Sequence, residues 1–403
     1  MALTSASPTS TPHPAPPAAI AVVAPCAAVH DTVRAVRHQG RECLAVTLPL
    51  RTRPLTATDE VPPGHFTHTV SHDSMRCTLA ALRAHGVRTV IAGSAQGIDL
   101  ADRLANELGV PGNAPLTSNL RRDRAAQADA LACAGLAAPL HLRATRLASA
   151  IRWANFVGLP AYVVAPADTS VAGPARTCGS HSQISLAWHA LRRAAHRQTG
   201  DRHLVIQEAV PGPHYLLHTV SRAGRHAVQE LWCETRTPTA IADRADLVPA
   251  TGMLARALTL YLHQALDALG VTDGAFRSRI AYPPDRGPVL LATRLDNTAT
   301  LQAATTPTDS PPRRESPLPT TRVSLTARHD ATIAPQVLRA ITSLPTVHRI
   351  EGDHLYGGAP VARTVNRLTC PGTLVLTGGR SAIEADYRAI RSLEEDLFAG
   401  PAR

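Results

Sequence analysis

Short apolar runs alternate with segments of helical periodicity along the first part of this chain, and that alternation leaves few folds open to it. Ile20-Ala21-Val22-Val23-Ala24 is an apolar run between prolines, suited to a buried strand. A helix follows over His30–Gln39, then a second strand over Cys43–Leu48. Leu50–Val70 reads as Pro- and Thr-rich loop. Ser71 or Asp73 then caps a helix that carries Leu79 and Leu82 on one face and ends at Gly86. Val87–Ala92 is a third strand, Gly93–Gly97 a turn, and Ile98–Leu108 a helix with apolar residues at 98, 101, 104, 105 and 108. Strands and helices in strict turn imply a small parallel α/β domain.

Beyond Pro111-Gly112-Asn113 the pattern becomes mixed α+β. Helices are expected over Asn119–Ala134 and Gln183–Arg197, and a strand over Ala161–Ala165. Further strands are expected over Leu204–Glu208, Tyr215–Ser221, Ala227–Cys233, Val271–Ala281 and Pro288–Arg294. Between the last two groups, Leu254, Leu258, Leu262, Ala265 and Leu269 place the core stripe of a long helix over Met253–Leu269. Asn297–Thr321 is Thr-, Pro- and Ser-rich without periodicity and reads as linker. The tail carries a helix at Ala334–Leu344, a strand at Thr373–Leu376 and a last helix at Ser381–Phe398. The expected organisation is a disordered Pro-rich tail (1–17), an α/β domain (18–113), a central domain (114–297), a linker (298–321) and a C-terminal α+β domain (322–403).

Composition narrows the chemistry. The chain has 403 residues and 41 basic side chains against 31 acidic ones, and every one of the 41 is arginine. Schiff-base chemistry and a phosphate-loop lysine are therefore excluded. Arginine can hold phosphate but is too basic to act as a base or nucleophile. The arginines are scattered, with short clusters such as Arg121, Arg122 and Arg124 and little aromatic interleaving, so no specific nucleic-acid partner is expected. No apolar run reaches the roughly 18 residues of a membrane span. Seven widely spaced cysteines without a CxxC pair suit a reducing cytoplasm better than a disulfide framework or zinc ribbon.

Three local groupings have both a chemical and a structural reading. His65, His68, His72 and Asp73 have the side chains of metal ligands, but they precede a helix start, where capping and solvated histidines account for them. Gly93-Ser94-Ala95-Gln96-Gly97 follows a strand as phosphate loops do, but its shortness favours a tight structural turn. Cys178 stands beside Arg176, a neighbour that would lower a thiol's pKa, yet nothing else supports a thiol enzyme.

Several strings, in their order along about residues 18–403, resemble the ATP-grasp carboxylate–amine ligases, in particular the bacterial group that joins amino acids. They include Val90-Ile91-Ala92-Gly93-Ser94 with Gly97, Leu108-Gly109-Val110-Pro111-Gly112-Asn113 and Arg122-Asp123-Arg124. Gly158-Leu159-Pro160, Val205-Ile206-Gln207-Glu208 and Arg294-Leu295-Asp296 continue the series, and Ser343-Leu344-Pro345, Pro371-Gly372 and Asp386-Tyr387 close it. The resemblance implies an N-terminal parallel α/β (pre-ATP-grasp) domain, a central two-lobed ATP-grasp domain and a small C-terminal α+β domain. It also implies MgATP bound between the halves of the central domain, with a carboxylate phosphorylated and then displaced by an amine.

The residue-by-residue match departs from that chemistry. One phosphate-gripping lysine of the family corresponds to Arg124, and the other to Ala165. The two magnesium acids correspond to Arg279 and Leu290, the magnesium Asn to Ala292, and the ribose-binding Glu to His214. A guanidinium in place of a metal carboxylate repels the ion. What remains is the hinge pair Gln207-Glu208, the loop residues Asp168, Ser170 and Gly173, and the phosphoryl-stabilising Arg294. No metal ligand set survives. The expectation is an ATP-grasp protein with impaired or lost ligation, in which ATP remains a candidate ligand and magnesium does not. The alternative is an active amino-acid ligase with an arginine-based phosphate site, built from Arg124, Arg277, Arg279 and Arg294. Expected partners are a nucleotide or amino-acid-like small molecule, and a second copy of the chain or an active ligase.

Overall fold

The computed structural model describes residues 18–49, 64–171, 175–236, 242–306, 318–352, 355, 360–365 and 369–399. At the N-terminal end β1 (Ala19–Val23), α1 (Ala27–His38), β2 (Cys43–Thr47), β3 (His68–Ser71), α2 (Met75–Ala84), β4 (Val87–Ala92) and α3 (Ile98–Leu108) form a parallel sheet of order β3-β2-β1-β4 with its helices. β1 is buried at every position, which explains its unbroken apolar run. β3 falls where loop was expected: apart from the half-buried Val70 its residues are polar and exposed, because it is the sheet's edge. The helix cap is Ser74, whose hydroxyl accepts from the Cys77 N–H at 3.3 Å, rather than Ser71 or Asp73. The Gly93–Gly97 turn is tight for a packing reason. A Cβ at Gly93 would lie 2.6 Å from the Pro25 Cα.

The middle of the chain contributes α4 (Arg124–Cys133), β5 (His141–Ala144), α5 (Leu147–Val157), β6 (Tyr162–Pro166), β7 (Arg176–Cys178), α6 (His181–Thr199) and β8 (Leu204–Glu208). Their strands make an antiparallel sheet of order β5-β8-β6-β7. The helix expected from Asn119 is a 3-10 turn over Pro115–Arg121 followed by α4, because Asp123 caps a new helix by accepting from the Ala125 and Ala126 N–H groups at 2.9 and 3.0 Å.

A second antiparallel sheet follows from β9 (His214–Arg222), β10 (Arg225–Arg236), β11 (Ala242–Leu247), α7 (Met253–Ala268), β12 (Gly274–Ala281), β13 (Val289–Leu295) and α8 (Asn297–Thr305). The tail adds β14 (Thr320–Ser324), β15 (Ala331–Ile333), α9 (Pro335–Thr342), β16 (Val347–Glu351), β17 (Pro360–Val361), β18 (Thr373–Thr377), α10 (Arg380–Leu397) and β19 (Phe398–Ala399). Pairing of β11 with β14 fuses the two parts into one eight-stranded sheet, β13-β12-β9-β10-β11-β14-β18-β16. α10 docks on the seam: Tyr387 donates to Asp243 at 2.6 Å and Arg244 to Glu384 at 2.6 Å.

The stretch read as linker opens with a helix instead. Asp296 caps α8 by accepting from the Ala299 N–H at 3.2 Å. Its one leucine, Leu301, is fully buried among Ile20, Val22, Val33 and Ile91 of the N-terminal layer. A single apolar residue amid Thr and Ala carries too little periodicity to read. Residues 307–317 lie outside the described residues. A buried ion pair completes the frame: Arg121 donates to Asp102 of α3, which also accepts from Ser118. Both charges are almost wholly removed from solvent, at 1% and 7% side-chain exposure. Asp102→Ala should therefore leave an uncompensated guanidinium and lower unfolding free energy by about 3–5 kcal/mol. Leu301→Ala should cost about 2–5 kcal/mol through the cavity it opens. Urea titration checks both, and a loss under about 1 kcal/mol for either would contradict this account.

Candidate functional site

Residues of β9, β10, β12 and β13 alternate between two faces of the large sheet. Tyr215, Leu217, Leu231, Phe276 and Ile280 pack with Leu258 and Leu262 of α7. Their neighbours on the opposite face are polar, and the strand register brings them together: His214 beside Glu234, His218 beside Glu230 and Arg277, and Arg279 beside Ala292. A bulge between Arg279 and Ile280 puts Leu290 in the α7 core and Ala292 on the polar face. The positions matched to the family's second magnesium acid and its Asn are therefore not on one face here.

Arg279 is the centre of the first cluster. Its Nε and a terminal nitrogen donate to the two carboxylate oxygens of Glu234 at 3.0 and 3.2 Å, a bidentate pair. Burial works to raise the Glu234 carboxyl, but Arg279, Arg236 and His214 outweigh it and hold the group below the usual range. Arg236 is pushed down to about 10, first by burial and then by the charge of Arg279, with only Glu234 opposing. Its buried Nε has no hydrogen-bond partner among the described residues. Arg124, at the first position of α4, is likewise pushed down to about 10 by burial and then by Arg279. Its backbone N–H donates to the Ala167 carbonyl at 2.9 Å and its Nε to the Pro166 carbonyl at 3.1 Å, so the end of β6 holds it. His214 is lowered by burial, Arg236 and Arg279, so the neutral ring is favoured at the position of the family's ribose acid.

Two of the three loop residues lie just beyond β6. Asp168 is buried and accepts from Arg122 at 2.7 Å and from the Ser170 N–H and hydroxyl at 2.8 and 2.6 Å. Asp168 thereby ties the loop to Arg122, just ahead of α4, and Ser170 is bonded within the loop to Asp168. Gly173 lies outside the described residues. Ala165 is buried on β6, paired with Val205, and offers no polar group. In the hinge pair, Gln207 is buried between its β5 and β6 neighbours, while Glu208 accepts from Arg286 at 2.6 Å and from the Leu140 N–H at 3.2 Å. Glu208 thus ties the smaller sheet to the β12–β13 turn. Cys178 is buried, and burial pushes its thiol up to about 11 against the pull of Arg176. Arg176 does not activate it.

A second cluster lies one register step along. Glu230 accepts from the Trp232 indole at 2.9 Å, lies 3.4 Å from His218 Nδ1 and 3.7 Å from Arg322, whose guanidinium stacks 4.2 Å from the Trp232 ring centre. Arg277 donates to Asp296 at 2.6 Å. Arg294 is exposed and pairs in register with Arg277, so it borders this cluster rather than the first. Glu234, Arg236, His218, Trp232 and Arg322 were not among the expected site residues. The alternation Glu230-x-Trp232-x-Glu234-x-Arg236 on a strand in mid-sheet was the available signal, since charges at period two mark a polar face.

The fold is that of known ligases. An L-amino acid ligase from Bacillus licheniformis superposes with a TM-score of 0.68 at 14% identity, over 96% of this chain and 99% of that one. A carboxyaminoimidazole ribonucleotide synthase from Aspergillus clavatus, complexed with ATP, gives 0.66 at 14%, over 94% and 99%. An N5-carboxyaminoimidazole ribonucleotide synthetase in complex with ADP gives 0.64 at 12%, over 94% and 96%. No family model matches the sequence, and no curated protein matches it. The chain has the ATP-grasp fold, with the α/β and α+β parts expected from its sequence.

His218 yields a pH prediction. Burial, then Arg277, lowers its pKa to about 4, with Glu230 opposing, against about 6.5 for a solvated histidine. Between these values the unfolded chain binds a proton that the folded chain refuses. Stability therefore falls as pH drops from about 6.5 toward 4, by up to about 1.4 kcal/mol per unit. Urea midpoints between pH 7 and 4.5 should fall less steeply in His218→Asn than in the wild type; parallel curves would contradict the assignment.

Proposed function

We propose that this protein binds a nucleoside triphosphate, or another multiply charged phosphate, in its ATP-grasp cleft without using magnesium, and that ligation is impaired or lost. The observation that carries this reading is the bidentate hold of Arg279 on Glu234, with Arg124 and Arg236 destabilised by the same guanidinium. Glu234 answers Arg279 and Arg236, while Arg124 is answered by Asp168 and Asp123, which are also bonded to Arg122 and to Arg143. An incoming phosphate would relieve that excess through charge-assisted bonds, and Arg236 has a buried nitrogen for one of them.

Magnesium does not fit the same residues. It needs hard oxygen donors, whereas Arg279 and Ala292 supply none and Leu290 belongs to the apolar core. Of the four carboxylates near enough in sequence to replace them, Glu208 is engaged with Arg286, Glu230 with Trp232 and His218, and Asp296 with Arg277, while Asp285 is exposed in the β12–β13 turn. An active, arginine-based ligase is for that reason the weaker reading. The solved neighbours handle an L-amino acid, ATP, ADP and 5-aminoimidazole ribonucleotide, and a small amino-acid-like molecule is the second ligand we assign to this cleft. Pairing with a second copy or with an active ligase, and residence in the cytoplasm, belong to the same proposal. All seven cysteines are free, and no described helix is long and apolar enough to cross a membrane.

Calorimetry with ATP and magnesium, and again with ATP and EDTA, tests the proposal. Equal affinity in the two buffers is expected, and Arg279→Ala or Arg124→Ala should weaken binding by about tenfold or more, the effect of one lost charge-assisted contact. A strict magnesium requirement, or amino-acid-dependent release of ADP, would overturn it.

A further inference from the structure

We infer that Glu42, His68 and His85 form a zinc site at the open edge of the N-terminal sheet, remote in sequence from the arginine cluster. The three come from different elements: Glu42 immediately precedes β2, His68 opens β3, and His85 is the residue that ends α2. One ligand atom from each lies within 4.8 Å of the others. The two imidazole rings already face each other, with centroids 4.2 Å apart and planes tilted by 35°. Two neutral nitrogens and one carboxylate oxygen are a donor set that zinc takes with a fourth position left for water.

The backbone beneath these side chains is fixed. His68 is in parallel register with Leu44, the Glu42 carbonyl accepts from the Ile20 N–H at 2.9 Å, and the His85 N–H donates to the Ala81 carbonyl at 3.2 Å. Tetrahedral zinc with bonds near 2.1 Å needs its donors about 3.4 Å apart. Glu42 and His68 are exposed and His85 is partly so, so side-chain rotation alone can close the difference. Glu42 forms no ion pair among the described residues, and its neighbour Arg41 donates to the Ala304 carbonyl at 3.3 Å.

The His-rich stretch of the sequence is thereby divided. His72 Nδ1 is within 2.9 Å of the Thr78 hydroxyl, and His65 stacks on His30 with centroids 5.2 Å apart. Only His68 joins the cluster. His85 and Glu42 come from outside the stretch. Zinc here would tie the edge strand β3 to both β2 and α2, fastening a strand that otherwise has one neighbour.

The test is titration of chelator-treated full-length protein with zinc chloride against a chromophoric competitor, with cobalt chloride as a spectroscopic probe. We expect one equivalent bound, visible bands of four-coordinate cobalt, and a rise in thermal midpoint with zinc, because the native state alone presents the site. His68→Ala and His85→Ala should each weaken binding by about 100-fold and Glu42→Gln by about tenfold, while His72→Ala should bind as the wild type does. Circular dichroism confirms that each variant is folded. Less than one equivalent bound by the wild type, or unchanged affinity in both His68→Ala and His85→Ala, would overturn the assignment.

Discussion

A guanidinium cannot shed its charge at neutral pH, and the polar face of the large sheet is arranged around that constraint. Lysine in a buried, crowded site has the option of losing its proton; arginine does not. Burial and mutual repulsion bring Arg124 and Arg236 down only to about 10, still fully charged at pH 7. The charge must therefore be answered by another group. Glu234 answers part of it through Arg279, and Asp168 and Asp123 answer part of the charge of Arg124. The remainder is positive charge concentrated on one face of the sheet.

That arrangement depends on elements far apart in the chain being held in fixed relation. Arg124 reaches the field of Arg279 because Asp123 starts α4 at that point and because the end of β6 accepts from its side chain. The 3-10 turn just before α4 is anchored to α3 by the Asp102–Arg121 pair. α8 locks the opposite side. Its Leu301 fills the N-terminal core, Thr298 donates to the Ala28 carbonyl at 3.2 Å, and the Thr300 hydroxyl accepts from the Ala275 N–H at 2.8 Å beside the start of β12. The strand that carries Arg277 and Arg279 is thus tied to the N-terminal layer. Pairing of β11 with β14 extends the same sheet into the tail, and Arg322 of β14 comes within 3.7 Å of Glu230 of β10.

Elements with a strong apolar pattern were legible in the sequence, and those without one were not. β1, β4, β8 and α7 lie within a residue or so of where their apolar runs place them, since burial on one or both faces dictates residue type. β3, β5 and β7 are short, polar or at sheet edges, and α8 has one buried leucine, so their existence rests on tertiary contacts. The site was legible in part. Arg124 and Arg279 follow from motif positions, but their shared field with Arg236 comes from the register of β9, β10 and β12, which no local string contains. Leu290 illustrates the limit most clearly. One extra residue on β13, Leu291, opposite the step from Arg279 to Ile280, moves it to the other face of the sheet, and sequence spacing cannot register a bulge.

The bulge also sets which face of the sheet each β13 side chain reaches. A metal-binding pair on adjacent strands requires both donors on one face at matching register. Here an acid placed at Leu290 would enter the apolar core beside Tyr261 and Phe276 rather than lie beside Arg279. One placed at Arg279 would stand against Glu234. Either substitution would cost stability by burying a carboxylate without a partner. The backbone register thus sets Leu290 and Ala292 on opposite faces, and β13 brings no carboxylate to the face that carries Arg279 and Glu234.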